Sequence, residues 1–171
     1  DWKNIQEDPK LVSIINSIND SLQKDPKRKI IIFTEFADTA EYLYKAFYNE
    51  QIKVTIYTSK IANKGTQRVI KSNFDAGLPK KLQREDFDVL IATDAISEGF
   101  SLHRAGTIYN YDIPYNPTRV IQRIGRINRI NKKVFDNLYI YNFFPTATGE
   151  DVSHTTQIST FKMKLFQAIL G

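Results

Sequence analysis

The chain has no cysteine, and in 171 residues it carries only two histidines, one methionine and one tryptophan. Disulfides and thiolate metal sites are thereby excluded. A zinc site is not expected either, because His103 and His154 stand far apart with no partner at ligand spacing. The absence of thiols fits a reducing compartment. No apolar run approaches the roughly 20 residues that a membrane span needs, and the first residues show no signal-peptide pattern. A cytoplasmic protein with no membrane partner is the expectation. Seven glycines and six prolines are too few for a fibrous or low-complexity chain, while 42% hydrophobic and 12% aromatic residues suffice for an ordered core. No internal repeat or composition shift marks a boundary. One domain over residues 1–171 is expected, with 1–28 and 151–171 as flanking helical segments.

Several catalytic signatures are missing too. There is no Gly-x-x-x-x-Gly-Lys-Ser/Thr phosphate loop, no acidic box following a strand, no Gly-x-Gly-x-x-Gly turn and no nucleophile elbow. A self-contained nucleotide hydrolase, a dinucleotide oxidoreductase and a serine hydrolase each need one of these.

What is present is an alternation. KIIIFT (Lys29 to Thr34), KVTIYT (Lys53 to Thr58), DVLIAT (Asp88 to Thr93), TIYNYD (Thr107 to Asp112) and NLYIYNFF (Asn137 to Phe144) are short, β-branched or aromatic, and apolar on both alternating faces. Strands buried on both faces read this way, which is the mark of a parallel sheet. Helical patterns lie between them: Asp38 to Tyr48, with Asp38 as N-cap, and Thr66 to Phe74, with Val69, Ile70 and Phe74 on one face. Asp8 to Leu22 and Thr155 to Leu170 read as flanking helices, and Gly77 to Asp86 as a polar surface connection. The expected fold is therefore α/β, doubly wound, with helices on both faces of the sheet. Ligands in such sheets collect where strands end, which directs attention to Thr34–Glu35, Thr58–Ser59, Thr93–Asp94 and Asp112.

The net charge of +5 is distributed unevenly. Asn116 to Lys133 holds four arginines and two lysines without one acid, whereas Glu41 to Glu50 and Arg84 to Asp88 mix both signs. Asn116 and Pro117 make a helix start. At about 100° per residue from Arg119, Arg123 falls near 40°, Arg126 near −20°, Gln122 near −60° and Arg129 near −80°, opposite Val120, Ile121, Ile124 and Ile127. Gly125 inside this helix costs about 1 kcal/mol relative to alanine, which suggests close approach by another backbone or a ligand. Supporting Glu–Lys pairs are absent, and arginine is the side chain whose planar fork grips phosphate. Periodicity alone leaves two readings open, a phosphate-binding face and a solvated one.

QRIGRINR (Gln122 to Arg129) resembles motif VI of superfamily-two helicases, IATDAISEGFSLHRAGTIYNYDIPYNP (Ile91 to Pro117) resembles their motif V and its continuation, and RKIIIFTEFADTAEYLYKAF (Arg28 to Phe47) resembles motif IV with its helix. The Glu-Gly-Phe-Ser-Leu and YDIPYNP stretches are most similar to the Swi/Snf-type branch, bacterial members especially. The resemblance implies the second RecA-like domain, three-layered with a mainly parallel sheet, of an ATP-dependent translocase or helicase. Arg126 and Arg129 would then be arginine fingers. Gln122, Arg123, Asp94, Glu98 and Gly99 would line the nucleotide cleft, and Thr34, Thr58, Ser59 and Thr93 would contact the nucleic-acid backbone. ATP with Mg is the implied substrate pair, with the Mg ligands and phosphate loop belonging to an N-terminal RecA-like domain of the same protein. This fragment alone is expected to be inactive. DNA is the expected polymer, with an RNA helicase domain and a non-catalytic nucleic-acid-binding module of helicase fold as the alternatives.

Overall fold

The computed structural model describes residues 8–97, 99–114, 116–127 and 134–144 of the chain. Five strands, β1 (Lys29–Phe33), β2 (Val54–Tyr57), β3 (Val89–Ala92), β4 (Ala105–Asn110) and β5 (Tyr139–Asn142), form one all-parallel sheet in the order β2-β3-β1-β4-β5. The helices are α1 (Pro9–Lys24), α2 (Ala37–Asn49), α3 (Lys64–Phe74) and α4 (Pro117–Ile127).

Alternation along the strands builds two cores. Ile30 and Ile32 of β1 join Val89, Ile91 and Tyr109 under Ile14 and Ile18 of α1 and Ala40, Leu43 and Phe47 of α2. Ile31 and Phe33 join Leu90, Ala92 and Ile108 over Ile70 and Phe74 of α3 and Ile127 of α4. Connection handedness explains the division. The crossover from β1 to β2 passes over β3 in one direction, whereas β2 to β3 and β4 to β5 run the other way. With right-handed crossovers, α2 lies on one face and α3 and α4 on the other. The three-layer expectation holds, and the segment expected to flank the domain at residues 1–28 contributes α1, a packed part of one core.

The helix starts follow local chemistry. Asp8 Oδ1 accepts from the Lys10 and Leu11 amides at 2.9 and 3.3 Å, with Pro9 in the first turn. Asn63 and Thr66 form a reciprocal capping box that starts α3 at Lys64, two residues before the expected Thr66. Asp38 is not the N-cap of α2. Phe36 occupies that position without a side-chain cap, and Asp38 lies in the first turn with Lys60 Nζ at 2.7 Å. On α3, Val69 is 39% exposed rather than buried with Ile70 and Phe74. Asn116 Oδ1 accepts from Thr118 N at 3.0 Å, as its N-cap role requires. The expected place of Arg129 on this helix and the expected helix at Thr155 to Leu170 lie outside the described residues. β5 departs from the pattern of strands buried on both faces: Tyr139, Ile140 and Tyr141 are each more than a third exposed. Among the described residues no helix is long and apolar enough to cross a membrane.

Candidate functional site

β1 and β4 are neighbours, yet their connections leave in opposite directions, one through α2 toward β2 and the other through α4 toward β5. Neither connection covers the carboxyl ends of the two strands, and a doubly wound sheet opens its crevice at such a reversal. Thr34 and Glu35 follow β1 there, Asp94 follows β3, Asn110 ends β4, and α4 brings its polar arc.

The arginines of α4 do not form one solvated face. Arg123 is only 3% exposed. Its Nε donates to Asp94 Oδ1 at 2.8 Å, and its Nη2 donates to Oδ2 at 3.1 Å. Nη1 donates to Asn110 Oδ1 at 2.9 Å, and the guanidinium lies 4.9 Å from the Phe33 ring centroid. Asn110 Nδ2 donates onward to Asn142 Oδ1 at 2.8 Å. Arg119, half exposed, reaches Glu35 Oε1 at 3.2 Å and Asp94 Oδ2 at 3.4 Å. The acids missing from Asn116 to Lys133 are thus supplied by the ends of β1 and β3. Arg123 and Asp94, both expected to line the nucleotide cleft, satisfy each other and also line the recess at the strand ends. The helical wheel carries the reason: at about 40°, Arg123 lies beside Ile127 at about 80°, on the seam between the polar and apolar arcs.

Arg126 differs from its neighbours. It is partly buried, and with Gln122, Arg119, Phe33 and Ile96 it lines a recess of about 210 Å³, open mouth included. Its guanidinium makes no ion pair or side-chain hydrogen bond with another described residue. Gln122 is exposed beside it. Arg129 and Glu98 lie outside the described residues. Gly99 has φ 79°, a left-handed conformation that a side chain would strain. Gly125 is exposed, and a Cβ there would meet nothing within 4 Å, so among the described residues none makes the close approach its position suggested.

The strand-end hydroxyls mostly face inward. Thr34 is fully buried, its hydroxyl donating to Asp112 Oδ2 and its amide to Ala92 O at 3.1 Å. The Thr93 amide donates to Tyr57 O at 3.1 Å, and the side chain is 7% exposed. Thr58 is 1% exposed, and its hydroxyl has no hydrogen-bond partner among the described residues. The Thr34 and Thr58 side chains, expected to contact a nucleic-acid backbone, are thus both buried in this conformation. Each residue directly follows a paired strand, Thr34 after β1 and Thr58 after β2. Ser59, which opens a 3₁₀ turn to Ile61, is exposed. Asp112 also meets Lys10 Nζ at 3.5 Å, and that ammonium lies 3.8 Å above the Tyr111 ring. Burial, with Asp8 and Asp112 adding to it, pushes the Tyr111 phenol well above its ordinary range, so it stays neutral. Among the described residues no group of three potential ligands could hold a metal ion.

Sequence reasoning passed over Asn110 and Asn142. The available signal was asparagine, a residue depleted in strands, at corresponding places in two otherwise apolar or aromatic runs.

The helicase conserved C-terminal domain model matches residues 10–131. The chain is 33% identical over 161 residues to the uncharacterized ATP-dependent helicase YqhH of Bacillus subtilis (strain 168), covering 94% of this chain and 25% of that protein. It is 27% identical over 134 residues to the ATP-dependent RNA helicase RhlB of Shewanella piezotolerans, covering 77% of this chain and 29% of the relative. The crystal structure of the C-terminal part of the Fun30 ATPase domain superposes with a TM-score of 0.66 at 18% identity, covering 85% of this chain and 44% of that one. The chain belongs to the helicase C-terminal domain family of superfamily two, and its fold is the RecA-like three-layer arrangement. It spans between a quarter and a third of the length of these curated relatives.

Proposed function

We propose that this chain is the second motor domain of an ATP-dependent nucleic-acid translocase or helicase, contributing arginine fingers to an ATP site that an N-terminal RecA-like domain completes. The observation that carries this reading is the contrast within α4. Arg119 and Arg123 are neutralised by Glu35 and Asp94, whereas Arg126, three residues further on, has no such acid among the described residues and lines an open recess at the strand ends. A partly buried cation of this kind favours an anionic partner from outside the domain, and the charge developing on a transferring phosphoryl group is one such partner. Arg126 and Arg129 are assigned as the fingers, with Gln122 orienting the nucleotide. Gly99 and Glu98 shape the motif V loop toward the cleft. Asp94 and Arg123 hold α4 in place behind them. Magnesium ligands would come from the N-terminal domain.

The nucleic-acid track runs over the exposed Ser59, with backbone amides near Thr58 and Thr93 as further contacts, and over Lys64 and Arg68, which α3 exposes beyond it. DNA is placed ahead of RNA on the motif V resemblance. The similarity to RhlB, whose name specifies RNA, supports the second reading. The test is ATP turnover by the longer protein with each polymer. Stimulation by DNA, declining steeply with salt, together with negligible turnover by this chain alone, is expected. Robust hydrolysis by this chain alone would overturn the half-site reading, and stimulation by RNA only would transfer the assignment to RNA.

A further inference from the structure

We infer that Asn142, at the end of β5, is a positioning residue for α4: through Asn110 it fixes the guanidinium of Arg123, and with it the turn of helix that carries Gln122 and Arg126. Arg123 sits next to Gln122 in sequence and three residues before Arg126, so its anchoring sets the rotation of their shared arc. Asp94 holds the guanidinium from the β3 side, and Asn110 holds it from the β4 side at 2.9 Å. Asp94 takes Nε and Nη2 on one side and Asn110 takes the remaining Nη1, so all three nitrogens are held only while Asn110 presents its oxygen.

The direction of the network makes Asn142 decisive. A guanidinium only donates, so Asn110 must turn its carbonyl oxygen toward Arg123, which leaves its Nδ2 in need of an acceptor. Asn110 is fully buried and cannot use water. Asn142, its exact register partner across β4 and β5, supplies that acceptor at 2.8 Å. Without it, the Asn110 amide holds a buried donor unsatisfied, or flips and turns its own N–H groups against the guanidinium. Asn142 does not line the recess, and its hydrogen bond to Asn110 is the link through which it acts on Arg123.

The effect on Arg123 stands by itself, whereas the effect on turnover rests on the motor reading above. Two measurements keep them separate. In this chain, exchange of the Arg123 Nε–H with solvent is followed by ¹H–¹⁵N NMR, with Arg28 Nε–H, bonded to Asp25 at 3.1 Å, as internal reference. Asn142→Leu should speed Arg123 exchange by on the order of 10-fold, Asn142→Asp, which keeps an acceptor oxygen, should restore it, and Arg28 should not change. Asn142→Ala replaces Asn142→Leu if the larger side chain prevents folding. In the two-domain protein, Asn142→Leu should lower kcat several-fold with KM for ATP within about twofold, and Asn142→Asp should recover kcat. Unchanged Arg123 exchange, or Asn142→Asp behaving like Asn142→Leu, overturns the network. Loosened Arg123 exchange with kcat intact overturns the positioning role, and a parent protein without any ATPase overturns the motor reading while the exchange result still decides the network.

Discussion

Replacing Asp94 with alanine isolates the most heavily desolvated charge at the strand ends. Arg123 has 2% of its side chain exposed and donates two of its three side-chain hydrogen bonds to this carboxylate, so Asp94→Ala strands a buried cation. One-sided removal from a buried pair costs about 3–5 kcal/mol. Asp94 itself is 28% exposed and Asn110 keeps one bond to Arg123, so the expected loss is smaller, about 2–3 kcal/mol. At about 2–4 °C per kcal/mol for a chain of this size, the midpoint should fall by about 4–12 °C. Arg119→Ala, removing a half-exposed partner of the same carboxylate, should cost about 1 kcal/mol or less. Adding Arg123→Met to Asp94→Ala should recover part of the loss, because the stranded charge is gone. Urea and thermal unfolding followed by circular dichroism would measure the parent, the three single variants Asp94→Ala, Arg119→Ala and Arg123→Met, and the double variant. The reasoning fails if Asp94→Ala costs no more than Arg119→Ala, or if the double variant shows the plain sum of its single changes.

Gly125→Ala should stabilise this chain by up to about 1 kcal/mol, since a Cβ there meets open space, and thermal melting would show it. If the same change impairs ATPase in the two-domain protein, the glycine serves a neighbouring domain; destabilisation of this chain would refute the open-space argument. Gly106→Ala should destabilise by about 1–3 kcal/mol, because its Cβ would come within 2.8 Å of both Arg28 and Phe135, and Arg28 also holds Gly106 O and Asn137 O. Burial opposes ionisation of Glu85, but Lys29 and Arg104 outweigh it and hold its carboxyl below the ordinary 4.5. A carboxyl lowered by folding adds stability above that value and loses it as pH falls. The melting temperature should therefore drop below about pH 4.5 more steeply for the parent than for Glu85→Gln, and parallel curves would count against this role.

The strands were legible in the chain because short isoleucine, valine and aromatic runs permit little else, although β5 proved exposed; Asp8 and Asn116 marked two helix starts, whereas Asn63 was passed over and α3 begins before the expected Thr66. The site was only partly legible. The absence of acids around α4 suggested unpaired arginines, but Glu35 lies 84 residues from Arg119 in sequence, and only the crossover topology brings them together. The burial of Arg123 was not legible, because a wheel position on the seam does not reveal which way a long side chain turns. Thr34 illustrates the same limit: its strand-end position was correctly read, while its inward direction depends on Asp112 arriving from β4.

Single-turnover ATP hydrolysis by a protein containing both motor domains, with Arg126 or Arg129 changed to alanine and Arg126 changed to lysine, tests the central claim most directly. The account predicts that either alanine variant loses on the order of 10³-fold in rate while nucleotide affinity largely persists. Lysine should rescue poorly, because it keeps the charge but loses the planar fork, and Arg119→Ala should lose far less. Rates for both alanine variants within a few-fold of the parent would contradict it and make the polar arc of α4 a solvated surface.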